Sequence, residues 1–292
     1  MAVNVLILFF CGAVWGLSFT LMRVVMLGGA HPLAAAFWHA VVANLLIWTA
    51  LAVTGRLPRV NAGFLRFSAI TGFLGAAGPT TLLFWAAEHI GAGVLSVCMA
   101  TAPLMQIGLS AALGIERFHI HRLVGLLFGL AAVWIIADPA NDAAPTLWVA
   151  LAALGGFLYA CEDSFLAAKR PASLSSLQIL AGLMLFYAIY TAPALIFVDP
   201  TLFSLSAPGE TALAFLVMVP SSLCAYGAFV HLIARAGPVF ASQVSYVVTI
   251  SGVICSMAIL GESHEAGFWV ALGLVVIGLA LGLPGTWRPK GA

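Results

Sequence analysis

Long apolar stretches succeed one another through this chain, and its cations fall in alternate gaps between them. Arg56, Arg59 and Arg66 share one gap, Arg117 and Arg122 the next but one, Lys169 and Arg170 the next but one again. Arg235, then Arg288 and Lys290, complete the series. The intervening gaps carry Asp138, Asp142, Asp199, Glu210, Glu262 and Glu265 and no Lys or Arg. Insertion into a bilayer leaves this pattern, because short cytoplasmic loops keep cations and translocated loops lack them. Only 7% of the residues are charged and 63% are hydrophobic, where a soluble domain carries about 25% charged residues. A soluble domain of any size is excluded. A net charge of +1 with scattered cations also offers no basic patch for nucleic acid.

A spanning helix needs about 20 apolar residues. Runs cut by Pro, Gly and charge give spans near 4–27, 33–53, 64–87, 91–114 and 120–137, then 146–168, 174–197, 210–233, 238–260 and 265–283. The runs are continuous, whereas a membrane barrel would alternate apolar and polar residues. The fold class is therefore all-α and integral to the membrane, with ten transmembrane helices. The amino terminus lacks the basic region and cleavage site of a signal peptide, and its apolar run continues to Leu27, so it reads as the first span. An even number of spans puts both termini on one side. Ten of the eleven Lys and Arg lie in gaps on that side, which makes it cytoplasmic. The eleventh, Arg23, sits near the outer end of the first span. The five cysteines each lie in an apolar stretch without a C-x-x-C pair, so neither a disulfide nor a metal cluster is expected.

The two halves overlay at one offset, the 146 residues that separate Ser18 from Ser164. The same offset carries Phe19 onto Phe165, Arg23 onto Lys169, Gly63 onto Gly209, Gly91 onto Gly237, Ser96 onto Ser242 and Glu116 onto Glu262. Residues 1–140 and 145–287 then form two five-helix repeats within a single domain. Five is odd, so the second copy enters the membrane upside down. Such inverted repeats are the architecture of many secondary carriers, which rock about a midplane site.

With these elements in view, the chain resembles the EamA family of the drug/metabolite transporter superfamily. The resemblance rests on the S-F-x-x-x-[RK] element at Ser18-Phe19 to Arg23 and at Ser164-Phe165 to Lys169. It rests also on the stretch from Gly91 to Gly114-Ile115-Glu116 and its copy from Gly237 to Gly261-Glu262. Within the family it is most similar to YddG-like exporters of aromatic and other amino acids. The resemblance implies a ten-helix exporter with a central cavity lined by spans three, four, eight and nine. Thr249 stands where the second copy would match Pro103, so span nine is expected to bend differently from span four.

Helix breaks in a membrane survive where a cavity or neighbour satisfies the freed backbone groups. Gly75, Gly78 and Pro79 in span three, Pro103 in span four and Pro220 in span eight are the candidate hinges; ordinary kinks in a static bundle are the alternative. Polar and aromatic side chains at bilayer depth supply the candidate substrate contacts. These are Trp15, His39, Thr80, Trp85, Thr101, Tyr159, Ser222, Tyr226, Gln243, Ser245, Tyr246 and Thr249. Each hydroxyl has a bland reading, since Ser and Thr also bond their own helix or glue neighbours, and Trp85 could belong to an interfacial belt. Glu162 and Asp163, one to two turns inside span six, are the candidates for proton coupling; neutralisation by Lys169 and Arg170 is the plainer account. Glu116 and Glu262 read as loop or cap elements. Gly12/Gly16, Gly125/Gly129 and Gly278/Gly282 allow close helix contact, within the chain or in a homodimer.

No phosphate-cradling loop, H-E-x-x-H, G-x-S-x-G or T-V-G-Y-G motif is present, and no cofactor or metal is expected. The reading is a secondary transporter that exports small metabolites, amino acids first, by alternating access. Its partners are a small-molecule substrate and the bilayer, and its place in a prokaryote is the inner membrane. A multidrug or lipophilic-cation exporter is the alternative within transport. A membrane enzyme would need clustered His or acids, and the seven histidines are dispersed.

Overall fold

In the computed structural model the apolar runs are helices whose ends are set by short local signals. The structure describes residues 2–112, 120–137, 143–203, 209–236, 241 and 243–282. The first span is α1 (Ala2–Leu27) and the second α2 (Pro32–Val53). Pro32 opens α2 where its missing N–H is not needed, and His31 Nδ1 accepts from Leu33 N at 3.2 Å. The third span consists of α3 (Ala62–Gly72), a π-turn over Phe73–Ala77 and α4 (Gly78–His89). Asn61 caps it, its Oδ1 accepting from Phe64 N at 2.9 Å. The fourth is α5 (Ala92–Met99) and α6 (Ala102–Ala112), separated by a turn at Ala100-Thr101.

The second half continues after α7 (Ile120–Ala137) with α8 (Ala143–Lys169) and α9 (Ser176–Thr191), which tightens into a 3-10 turn over Ala192–Ile196. A reciprocal pair of bonds between Ser175 and Gln178 opens α9. Then follow α10 (Gly209–Ala236), α11 (Val244–Leu260) and α12 (Ala266–Gly282). Gly261 ends α11 in the left-handed region at φ +67°, a conformation that costs a side-chain-bearing residue about 1–2 kcal/mol. Six spans are long and apolar enough to cross a bilayer, and four shorter apolar helices complete the ten. No strand occurs among the described residues.

The surface is apolar and the interior holds small polar groups. Leu45, Val53, Trp134, Ile196 and Phe197 are exposed, while Thr20, Ser68, Thr71, Ser96, Thr249 and Ser256 are buried. Lipid is as apolar as any core, so helices associate here through close packing and polar contacts rather than by hiding hydrophobic surface. Span one packs along spans nine and eight; span six, five places on, packs along spans four and three. Spans five and ten pair with each other, as do two and seven.

Glycine permits the tightest crossings. A Cβ on Gly16 would lie 2.6 Å from Gly252 N and 2.7 Å from Val248 O of α11. Ser251 Oγ donates across the same crossing to Gly12 O at 2.9 Å. Gly125 and Gly278 meet the same way between α7 and α12, each facing the other's carbonyl oxygen. Gly12, Gly16, Gly125 and Gly278 thus serve packing inside the chain, as does Gly129, which faces Leu104 of span four.

Candidate functional site

Links between gaps show which ends of the helices lie together. Gln178 Nε2 donates to Arg56 O at 2.9 Å, joining the two gaps that hold Arg56, Arg59 and Arg170. Trp38 Nε1 donates to Pro200 O at 2.8 Å on the other side, where Gly28 also lies against Thr211. The bundle therefore has a cation-rich end and an opposite, cation-free end whose described loops carry no Lys or Arg, with Arg23 just inside it on span one.

The cation-free end is closed by contacts between the halves. Glu262, just past α11, takes Ala92 N on Oε1 at 2.7 Å and Gly93 N on Oε2 at 3.0 Å. A carboxylate at the start of α5 meets unpaired amides and the positive end of the helix dipole, a favourable pairing. Below it Ser256 packs on Gly93, and deeper still Gly252 packs on Ser96. Spans four and nine are thereby joined from mid-depth to this end. Arg23 Nη1 donates to Ala87 O at 2.5 Å, and Glu262 and Glu88 both lie within electrostatic reach of it. His264 stacks on Phe268 with centroids 3.8 Å apart, and its Nε2 lies 3.8 Å from Glu262 Oε2. Burial pushes the His264 imidazole below its usual range, and the neighbouring Glu262 opposes that shift. Glu262 is a cap, as its position suggested, but it caps a helix of the other half. The offset that pairs it with Glu116 was visible in sequence; its target was not.

The middle of the bundle holds the breaks. Pro79 cannot donate to Gly75 O, and its ring crowds that carbonyl. The helix answers one turn earlier with the π-turn, in which Gly78 N reaches back to Phe73 O; such bulges recur at functional sites. Pro103 follows the Ala100-Thr101 turn in the same manner. The α10 helix, by contrast, runs unbroken through Pro220, and Ser221 Oγ bonds Val217 O and Met218 O beside it. Against the π-turn lies Glu162 of span six: a Cβ on Gly75 would come 2.8 Å from its Cγ and Cδ.

Several predicted residues meet here. Thr80 and Tyr159 share a hydrogen bond of 3.2 Å between spans three and six. Ser222 pairs with Ser18 at 2.9 Å between spans eight and one, and Trp15 sets its ring edge-to-face with Phe229 at 5.2 Å. His39 lies between Phe84 and Tyr187, with centroids 6.3 and 5.9 Å away. The buried His39 Nδ1 and Thr81 Oγ1 have no hydrogen-bond partner, and Tyr187 Oη lies near Thr80 without a well-formed bond. Buried polar atoms seldom stay unpaired without a reason. Tyr187 was not singled out from sequence; the one break in span seven, the 3-10 turn over Ala192–Ile196, lies beyond it.

Other predicted residues are spent locally. Thr101 Oγ1 donates to Cys98 O at 2.6 Å and Thr249 Oγ1 to Ser245 O at 2.8 Å, both within their own chain segment. Gln243 precedes α11 and accepts from Tyr246 N through its carbonyl at 3.2 Å. Tyr246 Oη is buried without a partner. Trp85 stands one turn from the cation-free end of α4, its carbonyl meeting His89 Nδ1 at 3.0 Å. Glu116 lies outside the described residues.

At the cation-rich end the helices part. A cleft of about 190 Å³ opens between spans six, seven and eight, lined by Leu166, Arg170, Ser176, Ile179 and Tyr226. Arg170 is steadied by Ser176 Oγ at 3.1 Å, and Tyr226 lies within electrostatic reach of Glu162, Asp163 and Arg170. One end is thus closed by contacts between the halves, and the other carries a cleft.

The sequence profile of the EamA-like transporter family matches residues 3–137 and again 146–283. The chain belongs to this family. It is similar to the "Uncharacterized inner membrane transporter YedA" of Escherichia coli (strain K12), 24% identical over 274 residues, 92% of this chain and 86% of that protein. The YedA proteins of Escherichia coli O6:H1 and O157:H7 match to the same extent. A solved crystal structure shares the fold, with a TM-score of 0.60 and 19% identity over 96% of this chain and 97% of that one. The protein is a multi-pass membrane transporter.

Proposed function

We propose that the protein is a secondary transporter that exports small metabolites, amino acids first, as YddG-like members of the family do, by alternating access between two inverted five-helix repeats. The carrying observation is the contrast between its ends: cross-half contacts seal one, and a cleft opens the other. The packing supports the repeat, because the contacts of span one with spans nine and eight recur as those of span six with spans four and three. With the cation-rich end cytoplasmic, as the loop charges favour, both termini are cytoplasmic and the cleft faces inward, in the inner membrane of a prokaryote. Gly75, Gly78 and Pro79, with Pro103, are the points where spans three and four flex, and Pro220 is the corresponding point of span eight. Thr80, Tyr159, His39 and Tyr226, with Trp15 and Ser222 behind them, offer aromatic and hydroxyl contacts to a neutral or zwitterionic solute. Glu162 and Asp163 are the groups available to couple a proton. A homodimer would use surface other than the Gly125–Gly278 crossing, which is already filled within the chain.

The burial of Glu162 inside the bundle favours a second reading, export of lipophilic cations. Uptake into liposomes containing only this protein separates the two. A labelled amino-acid panel and a cationic dye are offered with and without an imposed proton gradient. Saturable uptake of at least one neutral amino acid is expected. Movement of the dye alone would replace the first reading by the second, and movement of neither would reject both.

A further inference from the structure

Two kinds of acceptor meet where span six crosses the bend of span three. In the π-turn over Phe73–Ala77, Gly78 N is given to Phe73 O, and the next residue, Pro79, has no N–H. An α or π bond to Leu74 O would have to come from one of these two, so the helix leaves that carbonyl without an amide. Gly75 O loses its α-helical donor to the same proline. Carbonyls inside a protein seldom go without a partner, and two glycines lay this stretch of backbone bare toward α8. A Cβ on Gly75 would come 2.8 Å from Glu162 Cγ and Cδ, and one on Gly78 would come 2.7 Å from Leu158 Cδ1, one turn before Glu162. The Glu162 carboxyl group is thus in contact with the backbone that lacks donors, and only 8% of the residue is exposed. An ionised carboxylate has nothing to give a carbonyl, since both only accept; a protonated one is a donor.

We infer that Glu162, once protonated, donates to a carbonyl freed by Pro79, Leu74 O or Gly75 O, and so fastens span three to span six across the two halves. Glu162 is then a positioning residue, because the proton it carries acts on the bend of span three. Loss of that proton sets acceptor against acceptor and releases the bend. Resting on the reading of Glu162 as a coupling acid, this role adds what the proton does. The other ionisable groups around Glu162 are placed differently. Asp163, the next residue of α8, is exposed. Tyr159 is bonded to Thr80, and Tyr187 of span seven also lies near Thr80. Tyr226 of span eight and Arg170 line the cleft. The π-turn and the first turn of α4 carry no charged side chain. Glycine at 75 and 78 thus has a use beyond flexibility, since a side chain at either position would hold α8 and its carboxyl group away from the backbone.

The test follows the bend itself, in the full chain reconstituted in liposomes. Hydrogen–deuterium exchange of residues 73–84 is measured at pH 5.5 and 7.5 and corrected for the intrinsic effect of pH on exchange. The unaltered protein is expected to exchange about fivefold more slowly at pH 5.5, the effect of one hydrogen bond. Glu162→Gln keeps a donor at every pH, so its exchange should be slow at both. Glu162→Ala has none and should be fast at both. Pro79→Ala returns an amide to Gly75 O and should slow the segment again in the Glu162→Ala background. Equal exchange at the two pH values in the unaltered protein would overturn the proposal, as would Glu162→Gln behaving like Glu162→Ala. A pH dependence lost in Asp163→Asn but kept in Glu162→Gln would assign it to the neighbouring acid and overturn it too. The readout is local and needs no solute, so its failure is distinct from failure of the transport reading. Uptake that responds to a proton gradient, with a bend indifferent to pH, would leave transport standing and remove this role. A pH-dependent bend in a chain that moves no amino acid would do the reverse.

Discussion

The two ends of the bundle use the same kinds of residue to opposite effect. At the cation-free end, Glu262 spends both carboxylate oxygens on the amides of Ala92 and Gly93, and glycine and serine below it bring spans four and nine together. At the cation-rich end, Glu162 has no donor, and bulky groups such as Leu166, Ile179 and Tyr226 line a gap instead of filling it. A closed end is one in which polar groups are satisfied across the interface between halves. An open end is one in which they are kept unsatisfied or turned to neighbours in the same half, as Arg170 is turned to Ser176. Closure is then a matter of which partners each carboxylate can reach.

The strongest way to break the closed side is at its crossing with span one. Gly16→Leu places side-chain atoms where Gly252 N and Val248 O already stand, and backbone cannot yield as a side chain can. Overpacking of this kind costs about 1–3 kcal/mol or more, and melting in detergent should show a lower transition temperature and a lower yield of folded protein. Unchanged stability would mean that spans one and nine are not in contact at Gly16. On the open side, Gly75→Leu collides with Glu162 and with Leu183 Cδ1, the ends of side chains that can move. The fold should survive while transport slows about tenfold, the equivalent of roughly 1.4 kcal/mol on the barrier. Equal losses in yield and rate would make the π-turn a structural kink only.

The remaining tests sharpen the comparison. Glu262→Gln keeps a side-chain oxygen for the span-four amides but loses its charge. The difference between a charged and a neutral acceptor is about 1 kcal/mol, roughly a fivefold shift toward opening. Ser256→Cys in a chain otherwise free of cysteine should then react faster with a membrane-impermeant maleimide. A rate unaltered by the Gln variant would show that Glu262 does not hold this end shut. The smallest effect concerns His264. Its folded pKa lies below the unfolded value, so it adds nothing adverse above the ordinary histidine range. As pH falls below about 6.5, the unfolded or open form takes up the proton more readily and the closed end weakens. Labelling of Ser256→Cys should therefore quicken modestly between pH 7.5 and 5.5, and His264→Gln should flatten that dependence.

Much of the fold was legible in the chain. The spans end where Pro32, Asn61, Ser175 and Gly261 place caps and turns, because these residues act on the backbone within a few positions. The break in span three was readable from Gly75 and Gly78-Pro79, although its form as a π-turn was not. At Pro220 the helix runs on without a break, since an internal proline can be absorbed by a long helix. The candidate site was legible only in part. Thr80, Tyr159 and Ser222 were chosen for being polar at depth and do face other spans. Thr101 and Thr249 were chosen on the same ground and bond their own segments. Nothing local separates the two cases.

The sequence alone determined the membrane environment, the number of spans, the alternation of charge between ends and the repeat offset. Each of these follows from the cost of placing polar groups in lipid or from residues a few places apart. The tertiary structure decided the rotation of each helix about its axis: that Glu262 would reach Ala92, that Gly75 would sit against Glu162, and that Arg170 would turn to Ser176. A membrane helix is apolar on every side, and lipid and protein interior are alike to it. The hydrophobic pattern that would orient a soluble helix is therefore absent, and only packing against the other spans fixes which face looks inward.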